Sequence, residues 1–375
     1  MKKTFKLFGI FTLVLLSCLV FAVCSNSSGG GGGGGGGGDG LSEETAFLVR
    51  NKTELGYVGR GDANPAGYKN WNGTSFYKQT ADIDMSGIDW IPIQGDPPSG
   101  GANFAGGYDG CGYAIKNLTV NAPDDMKVGL FGNASGDSYR NNSIKNIALI
   151  NCNITGGIYV GGIVGDGGIP IENCYVTGTV RGRGIVGGII GFNSGDEGIK
   201  NCYTTCDVLE IDDGGTPGDG FGGIIGGSNT IINVTNCFAT GNVSGRNLIG
   251  GIAGFNDDES IKNCVALNKT ITAKDLFLGM IGRISGKNFN GTFSNNYGRS
   301  DMDIVYSAPT RNPGYIDGDS VSQADALSPT WWTTAANWDA SSPWDFTNTW
   351  NLPSGSTLPT LKVFDGKQTQ NPVIN

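Results

Sequence analysis

Between residues 105 and 300, apolar residues occur in short runs separated by polar ones. The runs are built from Val, Ile, Tyr, Phe and Thr and are divided by Gly and Asn, without the i, i+3, i+4 stripe of a helix. Two motifs, of the types IKNCYT and VGGIVG, return in step at intervals of 26 to 35 residues. The pattern predicts repeated units of short β-strands.

A unit of this length cannot bury its apolar face alone, so it must stack on copies of itself. If each unit forms one coil about 4.8 Å above the last, neighbouring strands pair in parallel. We therefore expect an all-β fold, a parallel β-helix (solenoid) over residues 105–300. Equivalent residues of successive units then form columns along the coil.

Two columns follow from the first motif, whose asparagine is followed by Cys in four units and by Leu or Ile in others. Cysteine is often buried, so we expect an inward column of reduced thiols; disulfides between coils and thiol metal sites are the alternatives. Asparagine tolerates the left-handed backbone of sharp turns, and stacked amides can bond to one another. We expect a structural ladder of Asn117, Asn146, Asn173, Asn201, Asn236 and Asn263 beside Cys174, Cys202, Cys237 and Cys264.

The second motif contains paired glycines such as Gly161-Gly162 and Gly187-Gly188. Glycine inside a strand pattern marks a bend or a close approach of two backbones. No helix signal and no GK[ST] follows these pairs, which excludes a phosphate-cradling loop.

The N-terminus has the layout of an export signal: Lys2, Lys3 and Lys6 precede an uncharged run over residues 7–23. We interpret residues 1–24 as a lipoprotein-type signal peptide with lipidation at Cys24. Processing at Cys18, ordinary cleavage and an uncleaved anchor are the alternatives. Residues 25–40 include ten consecutive glycines and form a flexible Gly-rich tether in this interpretation.

The composition excludes several classes of partner and of catalytic chemistry. The net charge of −9 and the lack of clustered Lys and Arg argue against nucleic acid. The 375 residues contain no histidine, which excludes Ser-His-Asp and Cys-His nucleophiles, His-ligated zinc and HExxH peptidase motifs. We expect no cofactor and no metal. Seven cysteines remain beyond Cys18 and Cys24, an odd number that does not indicate a disulfide scaffold.

The units resemble the GLUG motif repeats of bacterial surface proteins and lipoproteins. The combination VGGIVG…IENCYVTGTV at 160–180 carries the resemblance, supported by flanking pieces at 77–93, 104–120 and 344–364. The resemblance implies a right-handed β-helix and a role in display or adhesion. Some relatives carry these repeats next to a metallopeptidase directed at immunoglobulin A, but that activity needs HExxH and cannot be transferred to a chain without histidine.

An open β-helix exposes strand edges, so both ends need caps. We expect an N-terminal cap over residues 41–104, with a short helix beginning after Asn51 as N-cap. A Trp-rich C-terminal cap over residues 301–375, with a helix around SVSQADAL, is expected to plug the far end with its five tryptophans. Stacking of sugars on exposed rings, such as Trp331 and Trp332, is the alternative.

Acidic residues follow the glycine motif in several units, at Asp166, at Asp196-Glu197 and at Asp257-Asp258-Glu259. If they occupied equivalent turns two coils apart, they would lie about 9.6 Å from one another, near the carboxylate separation of inverting glycosidases. Weak cation binding is another use. Solvated loop residues are the default interpretation.

These observations predict a non-enzymatic, surface-anchored protein, an adhesin-like or structural display module that binds a host protein or a glycan. Its expected location is the outer membrane or cell surface of a bacterium, held by an N-terminal lipid anchor. The alternative is a polysaccharide-active lyase or glycosidase that uses the acidic turn residues. The sequence leaves the oligomeric state open.

Overall fold

The structure is a computed structural model that describes residues 37–95, 103–136, 142–212, 219–230, 232–257, 260–274, 280–307 and 316–374. Its main body is a stack of coils. The first sheet contains one strand from each of nine coils, in chain order. These strands are Phe47–Val49, Phe76–Gln79, Gly107–Asp109, Ile144–Lys145, Ile171–Glu172, Ile199–Lys200, Asn233–Thr235, Ser260–Lys262 and Thr292–Ser294.

A 14-stranded second sheet follows the asparagine turn and has two arms, which share the long strands Ala148–Gly156 and Tyr175–Gly182. The first arm adds Ile83–Asp84, Ala114–Lys116, Tyr203–Thr204, Phe238–Ala239, Val265–Ala266, Tyr297–Arg299 and Asp319–Val321. The second arm adds Thr119–Ala122, Asp207–Glu210, Val243–Gly245, Thr270–Ala273 and Asp303–Tyr306.

Two six-stranded sheets complete each coil. The third sheet contains Lys127–Val128, Tyr159–Gly161, Ile185–Gly187, Phe221–Gly222, Ile249–Gly250 and Ile281–Gly282. The fourth sheet contains Phe131–Ser135, Val164–Gly168, Ile190–Asn193, Ile225–Ser228, Ala253–Asn256 and Ser285–Asn288.

Pairing between neighbouring coils is parallel, and the register aligns equivalent residues, such as Ile144, Ile171 and Ile199. These isoleucines are fully buried, as are their counterparts in the other sheets, so the lumen is one continuous apolar core. The predicted parallel β-helix is confirmed.

The N-terminal end is closed by a short helix, Lys52–Leu55, whose N-cap Asn51 accepts a hydrogen bond from the Glu54 N–H, as the sequence predicts. A 3-10 turn, Gly61–Ala63, follows. The buried Trp71 ring stacks on Phe47, at 5.2 Å between centroids. Because Phe47 already pairs with Tyr77 in the first sheet, the coil begins inside the predicted cap and no break in the sheet occurs at residue 104.

The C-terminal segment differs from the expected plug. Residues 322–374, here called the strap, contain the helices Gln323–Ala326 and Pro329–Thr333, the 3-10 turns Ala335–Asn337 and Lys362–Phe364, and an antiparallel hairpin of Trp350–Asn351 with Thr360–Leu361. The strap runs back along the flank of the coil. The indole N–H of Trp344 donates to the Asn263 carbonyl, and Phe364 packs edge-on against Tyr175, three coils closer to the N-terminus.

The strap covers the first arm of the second sheet and makes a second apolar core outside the lumen. On this arm Tyr175, Tyr203 and Phe238 form a stack of parallel rings with centroids 4.8 and 4.9 Å apart. The tryptophans lie across these rings and not over the end of the lumen, because the outward aromatic column needs cover along its whole length. Lys367 reaches the Cys111 carbonyl in the first part of the coil.

Candidate functional site

The turn asparagines adopt the left-handed backbone, with φ between 52° and 57° at Asn117, Asn146, Asn173, Asn201, Asn236, Asn263 and Asn295. In the first coils their amides bond along the column. The side-chain N–H of Asn173 donates to Asn146 at 3.2 Å, and that of Asn201 donates to Asn173 at 3.3 Å. The ladder starts at Asp109, which accepts from Asn146 at 2.9 Å.

Beyond Asn201 the asparagine amides bond to the strap instead. Asn236 donates to the Pro343 carbonyl at 3.3 Å and Asn295 donates to the Asn337 carbonyl at 3.2 Å. Asn263 donates to the Ser342 carbonyl at 2.6 Å and accepts from the Asp339 N–H at 2.7 Å. The same residue type therefore serves two structural purposes, coil-to-coil bonding in one half and strap docking in the other.

The expected place of Asn117 in this column is wrong, because the register aligns Asn117 with Asn151 between the two arms of the second sheet, and the Asn151 amide donates to Asn117 at 2.8 Å. The Asn117 amide donates to Asp84 at 2.9 Å, and the N–H and hydroxyl of Ser86 donate to the same carboxylate. These hydrogen bonds, led by the one from Asn117, lower the pKa of Asp84 to about 2. The Asp84 carboxylate therefore has a structural role in a tight turn.

Cys174, Cys202, Cys237 and Cys264 lie in one buried column of free thiols. The N–H of Cys174 lies 3.5 Å from the Cys202 sulfur, and the N–H of Cys202 lies 3.4 Å from the Cys237 sulfur. Each thiol also donates to the carbonyl two residues earlier, as Cys202 does to Lys200 at 3.3 Å. Burial raises the pKa of the Cys202 and Cys264 thiols, which keeps them protonated.

The paired glycines form a sharp corner, here called the glycine corner, where the third sheet of each coil turns into the fourth. A Cβ on Gly161 would lie less than 3.0 Å from the Val164 carbonyl oxygen and 2.7 Å from the Gly191 nitrogen of the next coil. Gly191 in turn faces the Val160 nitrogen. The backbones of neighbouring coils are in contact at this corner, so only glycine fits at its outer positions. On the inner side, Val160 and Val164 fill the lumen.

Outside the glycine corner, one side chain from the third sheet meets one from the fourth sheet of the next coil. Lys127 forms an ion pair with Asp166, at 2.7 Å between Nζ and Oδ2. One coil further, the Tyr159 ring stacks on Phe192 at 5.0 Å. Sequence reasoning missed these pairs because the partners lie in different units, and only the one-coil offset across the corner brings them together.

Asp166 does not occupy the same position on the coil as the other described acidic candidates. Asp166 is a strand residue in register with Phe192, not with Asp196, and it is held by Lys127. Asp196 is exposed, while Glu197 and Asp257 are half-buried, in the loops after Asn193 and Asn256. The expected equivalence of Asp166 with Asp196 is wrong, because Asp166 directly follows its motif glycine and Asp196 comes five residues after Gly191. Asp258 and Glu259 lie outside the described residues.

The two tryptophans considered for sugar stacking lie inside the strap. Trp332 is 1% exposed, stacks on Trp338 and donates its indole N–H to the Ala326 carbonyl at 2.7 Å. Trp331 is half-buried against Trp332 at 5.0 Å. Trp332 therefore cannot present its face to a sugar, and the expectation for this residue is corrected.

The described ranges contain no group of three or more His, Cys, Asp or Glu side chains placed to hold a metal ion. Their helices are all too short or too polar to cross a membrane. Cys18 and Cys24, with the whole predicted signal peptide, lie outside these ranges.

The coil, the glycine corner and the asparagine turns define a parallel β-helix repeat protein. The family model described as the GLUG motif matches residues 245–272, which span the glycine corner of one coil and the asparagine turn of the next. The chain therefore carries the GLUG motif, and the resemblance noted from the sequence is confirmed.

Two proteins are similar to this chain. Halomucin from Haloquadratum walsbyi is 31% identical over 219 residues, a match that covers 49% of this chain and 2% of halomucin. A candidate immunoglobulin A1 protease from Bacteroides ovatus, solved by crystallography, superposes with a TM-score of 0.62 at 21% identity, over 87% of this chain and 94% of that one. At this identity the superposition shows a shared fold only.

Proposed function

We propose that the protein is a non-enzymatic surface module, adhesin-like or structural, that binds a protein or a glycan on the outside of its coil. The observation that carries the proposal is the second arm of the second sheet. Seven parallel strands there form a surface that the strap does not cover. Most of its outward residues are polar and exposed or half-buried: Thr119, Asn121, Asn153, Thr155, Thr179, Arg181, Asp207, Ser244, Thr270, Thr272 and Asp303. Leu209 and the 47% exposed Val305 are apolar members of the same surface.

The arrangement of this surface suits recognition of a large partner. Thr119, Asn153, Thr179 and Asp207 lie in register in one column, at the spacing of neighbouring strands. Polar groups at a fixed spacing on a rigid sheet need no ordering on binding, which lowers its entropic cost. The match to halomucin supports the coarser part of the proposal, that the protein is exported.

The test separates binding from catalysis. We expect the full chain, immobilised on a surface, to retain specific members of a glycan and host-protein array. Incubation with neutral and acidic polysaccharides should release no reducing ends and no unsaturated product. Product formation that Asp196→Ala or Asp257→Ala abolishes, with Asp62→Ala in the N-terminal cap as a control, would establish the lyase or glycosidase alternative.

We further propose that the coil is held at a membrane through a lipid on Cys24, with residues 25–40 as spacer. The layout of Lys2, Lys3 and Lys6 before the apolar run supports this proposal. Intact-mass measurement of membrane-extracted protein is expected to show a mature N-terminus at Cys24 with added acyl mass. A mature N-terminus elsewhere, without lipid, would contradict it.

A further inference from the structure

A row of aromatic side chains runs along the outside of the glycine corner. The Tyr159 and Phe192 rings stack at 5.0 Å, Phe192 lies 6.4 Å from Phe255, and Phe255 lies 6.4 Å from Phe289. The first three rings are half-buried and Phe289 is 49% exposed. None of them belongs to the lumen core or to the core under the strap.

The row is continuous because one position of the column is glycine. Gly227 lies in register between Phe192 and the coil of Phe255, and a Cβ there would lie less than 3.0 Å from the Phe255 ring. The Phe255 ring therefore lies over bare backbone and reaches toward Phe192. The rings therefore form one continuous row, which passes over the backbone of the glycine.

Groups that can form hydrogen bonds lie beside this row. The Tyr159 hydroxyl makes no hydrogen bond with the described part of the chain, so it is available to a ligand. Asp196 and Asp257 are in the loops that continue from the strands of Phe192 and Phe255, and neither forms an ion pair with another described residue. At the far end the Lys287 ammonium lies 4.3 Å from the Phe289 centroid.

We propose that this row binds a neutral glycan chain, one sugar against each ring. The negative face of an aromatic ring attracts the polarised C–H groups on the flat side of a sugar, while carboxylates accept hydrogen bonds from its hydroxyls. The acidic loops and the net charge of −9 disfavour a polyanionic glycan. A protein partner would need roughly 800 Å² of surface on each side, and a file one ring wide is too narrow to be the centre of such an interface.

The inference rests on the proposed function, because it adds a site and a ligand class on the outside of the same coil, apart from the second arm. The probes are cellohexaose, xylohexaose and mannohexaose, with an oligogalacturonide as the acidic comparison, titrated into the detergent-solubilised full chain in a calorimeter. The double variant Phe192→Leu/Phe255→Leu keeps apolar volume but removes two ring faces. We expect it to raise the Kd for the hexasaccharide that binds by about tenfold or more.

Tyr113→Leu is the matched control, because Tyr113 is a half-buried aromatic residue in the turn before the strand Ala114–Lys116, away from both the row and the second arm. It should leave the Kd unchanged, and the unfolding midpoints of both variants should show that they fold. The inference is overturned if no neutral hexasaccharide binds, if binding survives the double variant, or if only the oligogalacturonide binds. Retention of a protein ligand from the array, with no binding of any hexasaccharide, would overturn the glycan site while the proposed function stands.

Discussion

Replacement of Gly222 by alanine is expected to destabilise the coil by about 3 kcal/mol or more, which is a large part of the stability of a typical domain. A Cβ at this position would lie less than 3.0 Å from the carbonyl oxygen of Ile225 and 2.7 Å from the nitrogen of Gly254 in the next coil. Both are backbone atoms, so no side chain can rotate away. Because each coil rests on its neighbours, the displacement must be shared by the whole stack.

The matched control is Gly56→Ala in the N-terminal cap. Gly56 has an ordinary helical φ of −63°, and its added Cβ would come no closer than 3.2 Å to another atom. Alanine there should change the free energy of unfolding by less than about 1 kcal/mol. Urea unfolding followed by far-UV circular dichroism measures both variants. Equal stability of the two would show that the corner is not in backbone contact.

The repeat made most of the coil predictable, because one physical cause sets several residues at once. A left-handed turn selects Asn173, and the lumen behind it selects a small apolar residue at Cys174. Each such position was visible as a column in the sequence. The glycines of the corner were visible too. They are required by a contact between neighbouring coils, and a single unit does not contain that contact.

The path of the strap could not be predicted in the same way. Five tryptophans indicate burial, but their composition does not say which surface they bury. The decisive feature is the outward stack of Tyr175, Tyr203 and Phe238, which appears in the sequence as ordinary strand residues of three separate units. Only the parallel register turns these three into one apolar surface that needs a cover.

For the acidic residues, the sequence suggested an equivalence that the register does not support. Asp166 and Asp196 follow their motif glycines at different distances, so they do not occupy the same position on the coil. Counting from the motif glycine places Asp166 beside Phe192 in the strand, while Asp196 falls in the following loop. The aromatic row was hidden for the same reason, because its rings come from four different coils.

Replacement of Trp350 by alanine is the second substitution expected to have a large effect, about 3 to 5 kcal/mol in the free energy of unfolding. Trp350 is fully buried, its indole N–H lies 3.4 Å from the Asn201 amide oxygen, and its ring centroid lies 5.9 Å from that of Phe238. Loss of this ring opens a cavity between the strap and the coil. The strap should therefore become sensitive to limited proteolysis before the coil does.

Leu352→Ala is the control for this result, because Leu352 lies two residues further along the strap and is 40% exposed. Its loss should change the free energy of unfolding by less than about 1 kcal/mol and leave the strap resistant to protease. If Trp350→Ala behaved like Leu352→Ala, the strap would not be docked on the aromatic column. The flank of the coil would then present Tyr175, Tyr203 and Phe238 to solvent, and the surface available for binding would have to include that column as well as the second arm.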